Sequence, residues 1–422
     1  MDRSAGEADF TQGLDLLKGL ITLHPAYGCG SQALCAEELA IYMRAQSWRD
    51  VTTLDYTSAD LEGIQGYVKA FALGGMYSED RALQKRNVVA RAKSGDVKRT
   101  LIINGHYDVD VVTAPQDWCT EGFWSSACLD GDKLYGRGAT DMLGGLCMTL
   151  AAASNFVRRH EGWDGQIIVM AVTDEEIGGN GTLQALDWLE QHAWTDQCHS
   201  NTECIIAEPS EGRLCSQSLG FAQCYVSVDG EAGHAGSMGP ASDVFDVGYE
   251  AVQALSAAVG ELADACEDLC TEDSWSVNIG KVRCGEDASI RPVHFSAEGI
   301  ILYPAVLGEK PFQTELAKIF HKSAPQRARL NFGEFGFEGA VFGDTRLTEI
   351  VQKQKWSYLH VDNPLFRSPC DARLFDQFGI DCVICGPGSL EQAHTTDEFI
   401  KVSDLRAYFN DTVTLIEKYF GK

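Results

Sequence analysis

Up to about residue 210, short apolar runs alternate with longer stretches whose apolar positions recur every three or four residues. "RTLIINGHYDVD" reads as a buried strand entering a loop, "QIIVMAVT" as a second buried strand, and "CIIAEPS" as a third. "MLGGLCMTLAAASNFVRRH" has helical spacing with a basic last turn, which suits the helix dipole, and "TLQALDWLEQH" is a further helix. Strands alternating with helices predict an α/β domain: a mixed, mostly parallel sheet flanked by helices, with sites at the carboxyl ends of its strands.

The pattern changes after about residue 214. "AQCYVSVDG" alternates like a half-exposed strand, "DVFDVGYEAVQALSAAVGELADAC" is a long amphipathic helix, and "WSVNIGKVRCG" and "VHFSAEGIILYP" read as antiparallel strands before the helix "PFQTELAKIFHK". This β-α-β-β-α order predicts an inserted α+β domain over residues 214–337, splitting the α/β domain into 1–213 and 338–422. "DCVICGPGS" is the expected last core strand, and "SDLRAYFNDTVTLIEKYF" a closing helix capped by Ser403.

Composition narrows the function classes. Net charge is −27, and no Lys/Arg cluster offers the basic footprint that a nucleic-acid binder needs, so the acidity reads as solubility. No apolar run is long enough to span a membrane, and the opening MDRSAGEADF lacks a basic segment followed by an apolar one. With 15 cysteines, an odd number and no secretory signal, reduced thiols in a cytoplasm are expected. The nearest pairs, Cys382 with Cys385 and Cys266 with Cys270, have no second ligand pair at zinc-knuckle spacing and read as structural.

Five segments place an acid or a histidine just after an apolar run: His106 and Asp108; Asp141 in "GRGATDMLGG"; Glu175 and Glu176 in "AVTDEEIGG"; Glu208 in "CIIAEPS"; and His394 in "GPGSLEQAHTTDEF". Taken singly, each is a helix cap or a solvated loop group. Gathered at one edge of one sheet, they make a metal site. A carboxylate shared by two ions, plus a His and a further carboxylate for each, needs two His and three carboxylates; His106, His394, Asp141, Glu176 and Glu208 meet that count. Imidazole with carboxylate suits zinc, cobalt or manganese. Glu175 is left over beside a ligand, as a general base would be, and Asp108 is placed to hold the second ring nitrogen of His106.

"GHYDVD", "GRGATDMLGG", "TDEEIGGNGT", "AEPS", "GHAG" and "GPGSLEQAHTTDE" together resemble the cocatalytic dizinc hydrolases related to acetylornithine deacetylase, succinyl-diaminopimelate desuccinylase and glutamate carboxypeptidase. The last motif is most similar to acetylornithine deacetylases. The resemblance covers nearly the whole chain. It implies a zinc-exopeptidase-like catalytic domain in which His106, Asp141 and Glu208 hold one zinc, and Asp141, Glu176 and His394 the other. It also implies a cis peptide from Asp141 to Met142, and Glu175 as the base acting on a bridging water. The insert then corresponds to a lid that also forms a homodimer, with His234 crossing to the partner's site to steady the oxyanion. An N-acyl amino acid deacylase follows as the expected activity, with a dipeptidase or carboxypeptidase on the same scaffold, or a non-catalytic ligand-binding relative, as alternatives.

The lid departs from the family pattern where substrate carboxylate is usually gripped. "GEDASIRPVHFSAEGIILYPA" has Ser289 at the usual Asn, Arg291 at the usual Val, and Tyr303 near the usual Arg. Arg373 in "SPCDARLF" is a candidate to supply that charge instead, against a surface salt bridge as its bland reading. Neither a nucleophile elbow, a GxGxxG loop nor a Walker A lysine is present.

Overall fold

The computed structural model describes residues 3–26, 30–68, 84–112, 114–120, 122–195, 199–234, 236, 243–268 and 272–422. Cys270 lies outside them, while Cys266 is buried in an apolar core. The chain divides into two compact units: Met1–Ser216 with Phe342–Phe366 and Cys370–Lys422, and Gln217–Val341 with Arg367–Pro369.

In the first unit, α1 (Arg3–Leu23) and α2 (Ser31–Ala45) precede β1 (Asp50–Tyr56), β2 (Lys85–Ser94) and β3 (Thr100–His106). There follow α3 (Phe123–Ser126), β4 (Cys128–Asp130), β5 (Lys133–Tyr135), α4 (Gly144–Arg159), β6 (Gly165–Val172), α5 (Asn180–Gln191) and β7 (Thr202–Ile206). The second unit contributes β8 (Gln217–Asp229), α6 (Val244–Ala265), β9 (Ser276–Cys284), β10 (His294–Pro304), α7 (Glu309–Ser323) and β11 (Ala328–Phe337). The chain then completes the first unit with α8 (Arg346–Gln352), β12 (Leu365–Phe366), α9 (Ala372–Gln377), β13 (Asp381–Ile384), β14 (Phe399–Lys401) and α10 (Val402–Phe420).

The main sheet runs β1-β2-β6-β3-β7-β13; β6, β3, β7 and β13 are mutually parallel, and β1 and β2 join antiparallel at one edge. Every residue of β3 and β6 is buried. A strand covered on both faces has no polar side to show, which is why these segments are continuous apolar runs rather than alternating ones. Parallel alignment puts the carboxyl ends of β3, β6 and β7 on one edge, and the charged residues that follow each run emerge there together.

Helix α4 is the hub beneath that edge. Its residues from Gly144 to Phe156 are all buried, in one core with residues of α1 and α10. Gly145 is required by close approach: a Cβ there would lie 1.9 Å from the Ala207 carbonyl oxygen. The closing helix begins at Val402, and Ser403 is not its cap. Ser403 instead donates its hydroxyl (2.5 Å) and backbone N–H (2.9 Å) to the Asp132 carboxylate, which comes from the β4–β5 turn and was invisible to local sequence reading.

The four strands of the second unit pair antiparallel in the order β11-β8-β10-β9, with α6 and α7 sharing their core. Strand β11, which "ARLNFGEFGF" did not suggest because its Gly residues interrupt the alternation, adds an edge beyond β8. The unit starts at Gln217 and ends at Val341, slightly outside the 214–337 expectation at its far end, because Gln217 and Val341 bridge each other and Ser218 N–H bonds to the Ala340 carbonyl. Among the described residues no helix is long and apolar enough to cross a membrane.

Replacing Gly145 with Ala forces the α4 backbone away from Ala207 and is expected to cost about 1–3 kcal/mol, as overpacking of a close-packed interior does. Urea unfolding followed by far-UV circular dichroism reads this as a lower midpoint; an unchanged midpoint would show that the helix is free to shift.

Candidate metal centre

His106 is the last residue of β3. Beyond β6 the chain turns at Asp174, whose φ of 67° starts a tight loop closed by the Gly179 N–H to the Asp174 carbonyl at 2.7 Å. Glu175 and Glu176 sit in that loop, Glu208 follows β7, and Asp141 lies just ahead of α4. His394, with φ of 58°, comes from the segment between β13 and β14. The Asp141–Met142 peptide is cis.

These side chains converge. Asp141 Oδ1 lies 3.2 Å from His106 Nε2, and its Oδ2 lies 3.5 Å from His394 Nε2. His394 Nε2 is also 3.1 Å from Glu176 Oε2, while His106 Nε2 is 3.8 Å from Glu208 Oε1 and 3.9 Å from Glu175 Oε2. Two overlapping groups have ligand atoms close enough to share an ion: His106 with Glu175 and Glu208, and His106 with Asp141 and Glu176.

A layer of buried polar groups fixes the arrangement. His106 Nδ1 is 2.9 Å from the backbone carbonyl of Asp108, with the Asp108 carboxylate at 3.6 Å. The ring therefore has its hydrogen-bond partner in the Asp108 backbone rather than in the side chain expected from sequence. The carboxylate itself accepts the backbone N–H groups of Glu175 (3.4 Å) and Glu176 (3.3 Å), and so ties the β3 loop to the acid loop. Arg373 is no surface salt bridge: its guanidinium donates to the carbonyls of Gly178 (2.6 Å) and Gly66 (3.3 Å), beside the same loop. Gly179, at φ of 74°, brings that loop against Asp371, whose Oδ1 would be 2.4 Å from an added Cβ; Asp371 also accepts the Thr182 hydroxyl at 2.5 Å.

Sequence reading missed Glu398. Fully buried, it accepts N–H groups from Gly138 (3.1 Å), Thr140 (2.9 Å) and Asp141 (3.2 Å) and pairs with Arg137 at 2.8 Å. Four donors on one carboxylate hold the Asp141 turn, and the pairing of β14 with β5 delivers Glu398 to it. The available signal was an acid immediately before the short strand-like "FIK", just after the His394 motif.

Burial, opposed by the His106 charge, holds Glu175 well above the ordinary carboxyl range; burial and the Asp141 charge do the same to Glu208. Burial pushes Asp108 up to about 8 and Glu398 to about 7. Burial alone would lower His106, but its hydrogen bond to Asp141 and the charges of Glu208, Glu175 and Asp108 outweigh it and hold it high. The Glu176 charge lifts His394 to about 10. The cluster is thus a sink for positive charge. Glu176 Oε1 and Glu208 Oε1 are buried without a hydrogen-bond partner among the described residues, a costly state for carboxylate oxygens unless a cation coordinates them. Oxygen and imidazole donors in this proportion fit divalent ions of the zinc, cobalt and manganese kind.

The second-unit candidates have different surroundings. His234 is exposed, with Nδ1 accepting the Gly236 N–H at 3.0 Å. Ser289 is committed to Asp287, its hydroxyl at 2.6 Å. Arg291 lines an open cavity of about 450 Å³ together with Asp243, Glu286 and Asp287, and its N–H bonds to the Gly233 carbonyl. Tyr303 is a core residue: fully buried, it stacks on Phe312 with ring centroids 4.1 Å apart and bonds to the Phe337 carbonyl. No charge replaces the usual Arg at that position.

A pH dependence follows. Carboxyls raised by folding give stability that is whole below their ordinary values and lost as pH rises through about 7 for Glu398 and about 8 for Asp108; raised His394 has the same sign, through about 10. Asp141, held low, acts only at acid pH. The metal-stripped chain should therefore show a melting temperature that falls from about pH 5 to about pH 9, and zinc or cobalt should raise it and flatten the slope as protons are displaced. A stripped chain that is most stable near pH 9 would contradict this electrostatic picture.

The model for peptidase family M20/M25/M40 matches residues 102–418, well over half of the chain. A succinyl-diaminopimelate desuccinylase of Beijerinckia indica is 24% identical over 345 residues, spanning 79% of this chain and 86% of that protein. Among solved structures, the di-peptidase Dug1p of Saccharomyces cerevisiae superposes with a TM-score of 0.70 at 14% identity, covering 99% of this chain and 98% of that one. An M20 family metallo-carboxypeptidase of Sulfolobus solfataricus gives 0.64 at 16%, covering 97% and 99%. The structural likenesses carry the fold, the family match carries the lineage, and the chain belongs to peptidase family M20/M25/M40.

Proposed function

We propose that this chain is a metal-dependent amide hydrolase that removes the acyl group from an N-acyl amino acid, in the manner of acetylornithine deacetylase. The observation that carries it is the division of Asp141 between two histidines, one carboxylate oxygen toward each. A carboxylate so shared is the bridge that a pair of ions requires. His106, Asp141 and Glu208 would hold one ion, and Asp141, Glu176 and His394 the other. Bound there, the ions supply Lewis acidity toward water and toward the scissile carbonyl.

The chain's own residues supply the proton path. Glu175, in reach of the same pocket and kept receptive to protons by its burial, takes a proton from the attacking water as the new C–O bond forms. It returns that proton to the amine nitrogen as the C–N bond breaks. His234 donates to the developing oxyanion in the partner subunit's site, in a homodimer formed through the second unit. Phe245 and Tyr249, 52% and 58% exposed on α6, support an apolar contact there. Arg373, held beside the acid loop, is the first-unit cation proposed for a substrate carboxylate, and Arg291 the second-unit candidate.

Dipeptide hydrolysis is the second reading, favoured by the position of Tyr303: with its hydroxyl and ring both engaged in the core, the usual carboxylate grip on that strand is missing. A panel of N-acetyl, N-succinyl and N-formyl amino acids and dipeptides, with zinc or cobalt, separates the two. Faster turnover of the acylated amino acids supports the first reading, and faster turnover of dipeptides replaces it with the second. Turnover that survives chelation would remove both. Glu175→Gln should keep two ions per chain while kcat falls about 1000-fold, within the range of general acid–base catalysis. Metal analysis beside initial rates checks this, and retained activity would end the base assignment. His234→Ala should lower kcat about 100-fold, as loss of one oxyanion donor does, with ion affinity unchanged.

A further inference from the structure

The mechanism leaves Asp174 and Lys85 unused. Both side chains are fully buried, and Lys85 Nζ lies 2.5 Å from Asp174 Oδ2. The same oxygen accepts the hydroxyl of the buried Tyr56 at 3.1 Å, and Lys85 also donates to Ser58 at 3.1 Å. Tyr56 ends β1 and Lys85 opens β2, so the two antiparallel edge strands, which carry none of the candidate ligands, meet the acid loop here. A buried lysine is expensive and needs a counter-charge close by. Asp174 sits in the left-handed region at φ of 67°, an uncommon conformation for a residue other than Gly, and the residues after it are Glu175 and Glu176.

We infer that Lys85 is a positioning residue that decides which of the three consecutive acids faces the metal ions. It holds Asp174 into the core, and the turn at Asp174 then presents Glu176 as ligand and Glu175 as base. With Lys85 gone, a buried carboxylate is left without its cation one residue from the base. Asp174 would then compete with its neighbours Glu175 and Glu176 for the ions bound at the site. The second oxygen of Asp174 is buried without a hydrogen-bond partner among the described residues, so the Lys85 charge, with the Tyr56 hydroxyl, is what retains the carboxylate. This inference rests on the metal assignment proposed above.

The test is the visible spectrum of the cobalt-loaded protein, which reports the ligand set without needing substrate; an inactive substrate panel would therefore leave it standing. Lys85→Met should change the spectrum and weaken cobalt binding about 10-fold or more, with kcat falling about 100-fold and KM moving less than about 3-fold. Asp174→Asn should keep the wild-type spectrum, since Asp174 is not a ligand while Lys85 is present and a buried Lys85 without its counter-charge sheds its proton. The double variant, which has no unpaired charge, should regain the wild-type spectrum. A Lys85→Met protein with unchanged spectrum and kcat overturns the inference. So does a double variant that keeps the altered spectrum, or an Asp174→Asn spectrum unlike wild type. Should Lys85→Met alone fail to fold, a folded double variant with the wild-type spectrum supports the inference, and a double variant that also fails overturns it.

Discussion

Mutual repulsion among buried carboxylates is the constraint around which the first unit is built. Asp108, Asp174, Glu208, Asp371 and Glu398 are buried, and Asp141 and Glu175 largely so, within one edge of one sheet. Left alone, such a set would take up protons or drive the loops apart. Three of its members have resident partners: Asp174 has Lys85, Glu398 has Arg137, and Asp108 has two backbone N–H groups. Asp371 accepts the Thr182 hydroxyl, with the Arg373 charge nearby, while Asp141, Glu175 and Glu208 gather about His106 and, among the described residues, have only the histidines within ion-pair reach, which is the deficit that divalent ions would fill.

The rest of the unit serves to hold that deficit in place. Parallel register in β3, β6 and β7 delivers three acid-bearing loops to a common edge, and the close packing of α4 at Gly145 fixes the level at which Asp141 precedes the helix. The loops then lock one another. Asp108 binds the backbone of the Glu175–Glu176 turn, Glu398 binds that of Asp141, and Arg373 binds the carbonyl of Gly178. Each bond puts a charged side chain on a main-chain group, an arrangement that fixes position without using up a ligand.

What was legible in the sequence follows from the same physics. Strands buried on both faces are mostly apolar, so a charged residue at or just beyond the end of such a run, as at His106, Glu175 or Glu208, marks a strand end and a site edge at once. The sheet, its flanking helices and the converging residues could be read for that reason. Partners supplied from far along the chain could not. Glu398 reaches Asp141 through β14, Asp132 replaces the expected cap at Ser403, and Lys85 meets Asp174 across a span with no local cue. Arg373 stood as a candidate for substrate carboxylate or a surface salt bridge, because nothing near it in sequence announces the carbonyls of Gly66 and Gly178. Strand β11 escaped notice because an edge strand with interrupting glycines need not alternate.

The central claim is that the shared carboxylate of Asp141 joins two ion sites. Equilibrium titration of the chelator-treated chain with cobalt, counting ions bound per chain, tests it most directly. The account predicts two ions per wild-type chain, and loss of tight binding at both sites together in Asp141→Asn. A wild-type stoichiometry of one, or an Asp141→Asn chain that still binds two ions tightly, would contradict it.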